Sequence, residues 1–433
     1  MKIYLISLGC AKNRVDSEVI IGNLVANDNI KLTMNMKEAD LIIINTCAFI
    51  ESAKAEAINT IFDVLDTKKA KQKVMVCGCL STRYANEIAT LIPEVDRFVT
   101  IKEYPKLKEI VNSMFKEHPF TTEVSSRNRL LTGMKESVYV KISEGCNNRC
   151  SYCAIPLIRG PFVSRDMDEI VNEVSDLVAN GAYEINLISQ DTTNYGIDLY
   201  KEYKIVELLN RLVNLEGDFK IRLLYLYPTL VSDELIDFIA NNDKVLPYFD
   251  IPLQHSETKV LKSMNRRGDN EFIKTLLNKI RNKIPHAILR TTMIVGFPGE
   301  TEEDFNSLVN FVKEMKFDRL GAFAYSAEED TLGHTMPNQI PEEIKEERLN
   351  ALYLVQDDIA LAANEKHIGE VSEVLIIDYD EESYAYIGRN YAFAPDDIDG
   401  FIFVYSMDEL QIGDVVKVEI LDASINTLSG KVI

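Results

Sequence analysis

The stretch Glu144–Gly160, EGCNNRCSYCAIPLIRG, constrains this 433-residue chain more than any other. It carries Cys146, Cys150 and Cys153, with three and then two residues between them. Spacing this tight lets one loop present several thiolates to a single iron–sulfur cluster. A loop with three cysteines leaves one iron of a cubane open for another ligand. Structural zinc asks for four closed ligands, usually as paired CxxC units, and the loop lacks them. A disulfide framework would leave one of three neighbouring cysteines unpaired. The loop therefore reads as a cluster site with an open iron.

The rest of the composition sets bounds. Apolar residues make up 46% of the chain, enough for sizeable cores, and 433 residues suit two or three domains. Gly and Pro are sparse, so no long disordered segment is expected. No apolar run is long enough to span a membrane. The first residues, MKIYLISLGC, enter a strand-like run without a signal-peptide pattern. Seven clustered cysteines point to a reducing cytoplasm with metal sites. A net charge of −21 repels nucleic acid in bulk and favours basic partners, or serves solubility alone.

Residues 1–125 alternate between strands and helices. Lys2–Leu8, Leu41–Asn45 and Val74–Val76 are apolar and strand-like, and Asn13–Ala26 and Ala48–Leu65 have helical periodicity. This alternation implies a parallel α/β sheet. Cys10, Cys47 and Cys79 each follow one of these strands. The carboxyl ends of parallel strands open on one edge, where ligands bind. Three cysteines distant in sequence should thus converge on a second site. The bland alternative is three separate buried cysteines. Cys77 lies within the third strand and reads as core. Phe98–Leu131, punctuated by Pro105 and Pro119, reads as a connection.

Residues 132–365 repeat the strand-then-helix unit about six times, which predicts a partial (β/α) barrel of parallel strands. The strands are expected at Val138–Ser143, Glu184–Ser189, Lys220–Tyr225, Tyr248–Pro252, Ala287–Gly296 and Arg319–Tyr325. The cysteine loop follows the first. Polar groups at the other strand ends include Ser189, Gln190, Asp191, Tyr225, Asp250, Gln254, His255, Arg290 and Gly296. Taken singly these are caps or turns; Asp191 and Thr301 look like N-caps. Taken together they line one rim. A long amphipathic helix over Pro341–Asn364 leads out of the barrel.

Residues 366–433 change to short alternating runs, as in a small five-stranded antiparallel β-barrel. From His367 onward there are three Lys and Arg against fourteen Asp and Glu. Phosphate binding needs a basic patch, so an acidic barrel suits a basic protein partner better than RNA. Asp396, Asp397 and Asp399 of the PDDIDG turn are expected to belong to that docking surface.

The loop pattern, with Tyr152 before its last cysteine, resembles the CxxxCxΦC signature of the radical S-adenosylmethionine (SAM) enzymes. The stretches SLGCAKNRVDSE, NTCAFIESAKAEA, ISQDTTNYG, LLYLYP, YFDIPLQH, VLKSMNR and LRTTMIVGFPGETEEDF resemble the methylthiotransferases within that superfamily. The extra Cys77 is the one departure. ISQDTT and GRNYAFAPDDIDG are similar to the branch that modifies small-subunit ribosomal protein S-twelve. The resemblance covers essentially the whole chain, and the last segment resembles a TRAM domain.

That resemblance implies two 4Fe-4S clusters. Cys146, Cys150 and Cys153 would hold the cluster that binds and splits SAM. Cys10, Cys47 and Cys79 would hold a second that carries sulfur. Tyr152, Ser189, Gln190, Asp191, Gln254 and Gly296 match SAM-contacting positions. The implied activity adds a methylthio group to the β-carbon of an aspartate. One SAM gives a methyl to sulfur and a second gives the radical that abstracts hydrogen. An electron donor and a sulfur donor are implied as partners. The alternatives are methylthiolation of a modified adenosine in tRNA, disfavoured by the acidic barrel, and a non-enzymatic iron–sulfur carrier.

Overall fold

The computed structural model describes residues 1–115 and 120–433; Pro119 lies outside them. Five strands form the first sheet: β1 (Lys2–Ser7), β2 (Lys31–Leu32), β3 (Leu41–Thr46), β4 (Lys73–Gly78) and β5 (Arg97–Val99). Their order is β2-β1-β3-β4-β5 and every pairing is parallel. All six residues of β3 are buried, as expected for a central strand covered on both faces. The stretch expected to be a plain connection begins with β5 and contains a helix at Leu107–Met114. Its Leu107, Ile110 and Val111 bury against the sheet, so it belongs to the first layer structure.

The next strands are β6 (Ser137–Lys141), β7 (Ser143–Glu144), β8 (Val163–Ser164), β9 (Glu184–Ile188), β10 (Lys220–Leu223), β11 (Tyr248–Asp250), β12 (Ile288–Val295) and β13 (Arg319–Ala324). Two three-stranded parallel sheets, β10-β9-β6 and β11-β12-β13, meet where Leu226 N donates to Asp250 O at 2.8 Å. The six parallel strands thus form one curved, incompletely closed wall. Side chains alternate across it. Val138, Val140, Ile221, Leu223, Leu289 and Met293 pack outward under the helices. Tyr139, Leu224, Tyr248 and Ile288 face inward.

The last five strands are β14 (Val371–Asp380), β15 (Ala385–Arg389), β16 (Phe401–Tyr405), β17 (Val415–Ala423) and β18 (Thr427–Val432). They close a barrel in the order β14-β15-β16-β18-β17. Four pairings are antiparallel; β16 with β18 is parallel.

The segment between β15 and β16 enters the inner face of the six-stranded wall. Phe393 is fully buried there, with the Arg319 guanidinium 4.4 Å from its ring centroid. Arg222 donates to the carbonyls of Asn390 and Tyr391 at 3.2 and 2.9 Å. This overturns the expectation for Asp399 of the PDDIDG turn, while Asp396 and Asp397 are exposed. Asp399 is buried, accepts from Arg290 Nε at 3.2 Å, and meets the Tyr248 hydroxyl. Asp396 accepts from the Tyr139 hydroxyl at 2.7 Å and from Arg14 Nη1 at 3.0 Å. Two of the three carboxylates tether the segment inward because the cations that balance them lie on the barrel wall and the first domain.

Candidate active site

The cysteine loop leaves the carboxyl end of β6. The short antiparallel pair of β7 and β8 clasps its two ends. Inside the loop, Cys146 N donates to Gly160 O at 3.2 Å and Cys153 N to Cys150 O at 3.0 Å. Segment 263–267 pins the loop from outside. Ser151 N donates to Met264 O at 2.9 Å and Asn265 Nδ2 to Arg149 O at 2.9 Å. Arg266 reaches Cys150 Sγ at 3.7 Å and the Tyr152 hydroxyl at 3.1 Å. Arg267 holds the Asn148 amide oxygen at 3.0 Å. The VLKSMNR stretch signalled this region, but sequence reasoning gave Arg266 and Arg267 no role.

These thiols sit in an environment that disfavours a bare anion. Burial pushes Cys146 up to about 11 and raises Cys153 as well. A thiolate is favoured here once a cation neutralises it, which is what a metal ligand requires.

The second cysteine set forms at the carboxyl edge of the first sheet. Cys10 is the N-cap of helix Ala11–Val25, Cys47 follows β3, and Cys79 opens the helix after β4. Two glycines permit the convergence. Gly9 and Gly78 have φ of +86° and +95°. A Cβ on Gly9 would stand 2.7 Å from Cys47 Cβ, and one on Gly78 2.2 Å from Asn45 Oδ1. Asn13 ties the strand ends together, donating to Thr46 O at 2.9 Å and Leu8 O at 3.1 Å. Its Oδ1 faces Cys79 Sγ at 3.5 Å. The Cys79 thiol holds Cys47 down at about 7, and Cys79 itself is raised by that neighbour and by burial. Among the described residues, no three His, Cys, Asp or Glu side chains are gathered tightly enough for one metal ion. Cys77, fully buried in the core, is pushed up to about 12 by desolvation.

Between the triads lies a buried charge network that sequence reasoning missed. Arg159, at the end of the short helix Ile155–Arg159, donates to Asp16 Oδ2 at 2.9 Å and to both Glu144 oxygens at 3.0 Å. Its second nitrogen meets Asn13 Oδ1 and lies 3.7 Å from Cys79 Sγ. Lys141 pairs with Asp16 and with Glu144 Oε2, the latter at 2.7 Å. Burial pushes Glu144 up, but Lys141 and Arg159 outweigh it and hold it at about 2. One guanidinium thereby touches both cysteine regions.

The expected rim residues fall at two walls. Gln190 donates to Glu144 Oε1 at 3.1 Å, while its own Oε1 is buried without a partner among the described residues. Asp191 accepts from Asn148 Nδ2 at 2.8 Å and Thr193 Oγ1 at 2.7 Å, so it braces the cysteine loop. It stands at the N-cap position of the short 3-10 turn Thr192–Asn194, as expected, but its side chain makes no cap bond there and holds Asn148 and Thr193. Thr301 does cap its helix. Ser189 Oγ accepts from Asp191 N at 2.9 Å within the turn. On the far wall, Gln254 has φ of +74° and bridges to Met293. Gly296 N donates to Glu300 Oε2 at 2.8 Å, and the Lys345 stem lies against its Cα. Tyr152 packs towards this wall with Ile294, Phe297 and Tyr325.

A partial parallel barrel with a three-cysteine loop after its first strand defines a radical-SAM enzyme. The profile of the Radical SAM superfamily matches residues 140–312. Those of Uncharacterized protein family UPF0004 and the TRAM domain match residues 2–100 and 368–433. The ribosomal protein uS12 methylthiotransferase RimO of Aquifex aeolicus is 47% identical over 432 residues, covering 100% of this chain and 97% of the relative. That of Acetivibrio thermocellus is 43% identical over 447 residues, covering 100% and 98%. The chain belongs to this RimO family of radical-SAM methylthiotransferases. Membership brings with it an iron–sulfur cluster and SAM. Among solved structures, the radical SAM methyltransferase TsrM from Kitasatospora setae, with cobalamin and a 4Fe-4S cluster bound, aligns with a TM-score of 0.55. It is 13% identical, with 75% of this chain and 72% of that one covered, and the likeness is one of fold.

Proposed function

We propose that this chain adds a methylthio group to the β-carbon of an aspartate in ribosomal protein uS12, using SAM and two 4Fe-4S clusters. The substrate follows the name its relatives carry. The observation that carries the two-cluster reading is the pair of thiol sets, with Arg159 bonded to Glu144 at the start of the cysteine loop and lying 3.7 Å from Cys79. Cys146, Cys150 and Cys153 would hold the cluster that binds SAM, and Cys10, Cys47 and Cys79 the one that carries sulfur. The residues present fit such groups: both sets are thiols alone, and Gln190 Oε1 awaits a polar partner. When bound, the cluster and SAM supply a radical able to take hydrogen from an unactivated C–H bond, which acid–base chemistry cannot do.

The chain's own residues position and protect that chemistry. Arg266 and Tyr152 close one side of the cysteine loop against water. Asp191 fixes Asn148, and Ser189, Gln190, Gln254 and Gly296 shape the pocket rim for SAM. Segments 1–125, 132–365 and 366–433 divide the work into sulfur carriage, radical generation and partner docking. The electron and sulfur donors come from outside the chain, in the cytoplasm.

Mass spectrometry of uS12 and of tRNA from a deletion strain tests the substrate. Loss of the modification from uS12, with tRNA unchanged, is expected; the reverse result overturns the reading. Iron analysis of reconstituted protein tests the cluster count. Changing Cys10, Cys47 and Cys79 together to Ala should lower iron from about eight atoms per chain to about four. Full iron retention in that variant removes the second site.

A further inference from the structure

Four cations meet where the first domain abuts the barrel: Lys12 and Arg159, which are buried, and Lys141 and Arg290, which are partly buried. Three are paired. Lys141 and Arg159 share Asp16 and Glu144, and Arg290 holds Asp250 and Asp399. Lys12 differs. It is 7% exposed, yet among the described residues its ammonium makes no hydrogen bond and no ion pair. Its ammonium lies over the face of Tyr225, 3.0 Å from the ring centroid, while Cys10, Asp250 and Glu144 act on it only through space, without a hydrogen bond or ion pair. A cation–π contact recovers part of the cost of burying a charge, but a buried charge ordinarily has an opposite charge beside it.

Tyr225 is itself held in an unfavourable conformation. Its φ is +63°, which is rare for a residue with a side chain. Two hydrogen bonds impose it: Tyr225 N donates to Asp250 Oδ2 at 2.9 Å, and Thr192 N donates to Tyr225 O at 3.0 Å. Strain of this kind persists where surrounding structure over-determines it, and it clusters at ligand sites. The strain places an aromatic face under an ammonium that, among the described residues, has no direct ion-pair partner. Lys12 is two residues from Cys10, and its side chain crosses from the first domain to a barrel strand end. It therefore stands beside the strand-end triad, where the first domain meets the barrel.

We propose that Lys12, seated on Tyr225, is a substrate-positioning residue that takes the carboxylate of the target side chain. The inference rests on the proposed aspartate substrate. A carboxylate supplies the directly bonded partner the ammonium lacks, and a charge-assisted hydrogen bond supplies direction. The β-carbon of an aspartate is bonded directly to its carboxyl carbon. Fixing the carboxylate therefore fixes the carbon to be modified, next to the Cys10 edge of the first sheet. An asparagine of the same shape offers no charge, so the site distinguishes the two by electrostatics and not by size.

The test uses reconstituted full-length protein and two forms of uS12, one with the target aspartate and one with asparagine in its place. Surface-capture affinities are compared, with iron content and SAM binding measured on each variant. The wild type should bind the aspartate form about tenfold more tightly, the weight of one charge-assisted hydrogen bond. Lys12→Met should bind both forms alike, and Lys12→Arg, which keeps the charge, should retain a preference. A Lys12→Met chain that keeps the tenfold preference overturns the proposal. So does a Lys12→Met chain that loses iron or SAM affinity, because the ammonium would then serve a cofactor. A wild type that modifies uS12 yet binds both forms equally also overturns it, while leaving the functional reading intact. A wild type that neither binds nor modifies uS12 brings down the functional reading and this one together.

Discussion

Cys146, Cys150 and Cys153 lie within one short loop, whereas Cys10, Cys47 and Cys79 come from three strand ends spread across the first domain. The loop triad is organised by its own backbone and by segment 263–267. The strand-end triad exists only because β1, β3 and β4 are parallel, adjacent and in register. The thiols differ as well. Cys146 and Cys153 are raised by burial, while the Cys79 thiol holds Cys47 near 7. One site is thus a local motif placed on a barrel, and the other is a property of a whole sheet. Arg159 ends the helix that follows the first and lies against Cys79 of the second.

The largest effect should separate the two directly. Cys153→Ala removes one of three ligands from the proposed SAM-binding cluster and should abolish formation of 5′-deoxyadenosine. Cys47→Ala should leave reductive SAM cleavage measurable and stop methylthiolation. Chromatographic assay of 5′-deoxyadenosine, alongside mass spectrometry of uS12, reads both. If each variant keeps its intact cluster and both lose SAM cleavage, the contrast between the sites collapses.

A smaller effect tests their connection. The Arg159 side chain is 2% exposed, and removing its charge leaves Asp16 and Glu144 with Lys141 alone. Breaking a buried pair by deleting one partner costs about 3–5 kcal/mol. Because Lys141 remains, Arg159→Leu should fall at the low end, about 3 kcal/mol. Urea denaturation followed by a probe in the first domain measures it. The variant should also hold less iron at the strand-end triad, since Cys79 and Asn13 lose a shared neighbour. Unchanged stability and iron would show that the triads are independent.

The difference between the triads also explains what could be read beforehand. The loop announces itself by spacing within one segment, and no tertiary knowledge is needed. The strand-end triad was legible because parallel strands present their carboxyl ends on one edge, so a topological rule stood in for contacts. The charge network was not legible. Arg159 and Asp16 are 143 residues apart, and Lys141 and Asp16 are 125 apart, on different domains. Charge counting misled for Asp399, because composition records how many carboxylates a barrel carries but not which way they point. The strand β5 was missed because RFV is too short to show a period. Asp191 has the residue type and position of a cap, and only the structure shows Asn148 and Thr193 claiming its oxygens.

The smallest expected effect concerns the cysteine that belongs to neither triad. Cys77 sits two residues before Cys79 but within β4, paired with Asn45 on one side and Val99 on the other. Alternation along a strand places it on the opposite face from Val76, and it is fully buried with Ile3, Leu107 and Val111. Its thiol is pushed up to about 12 by desolvation, which outweighs the opposite pull of the Tyr104 hydroxyl. Cys77→Ser replaces a weakly polar sulfur with a hydroxyl of similar size in that core. Burying a hydroxyl costs about 1–3 kcal/mol when it lacks a partner. The buried Tyr104 hydroxyl, itself without a hydrogen-bond partner among the described residues, can offset part of this. A loss of about 1 kcal/mol in urea denaturation is therefore expected, with iron content and methylthiolation unchanged. Loss of the strand-end iron in Cys77→Ser, with Cys79→Ser tolerated, would move the third ligand two residues along the chain. It would place that ligand within the strand and not at its end.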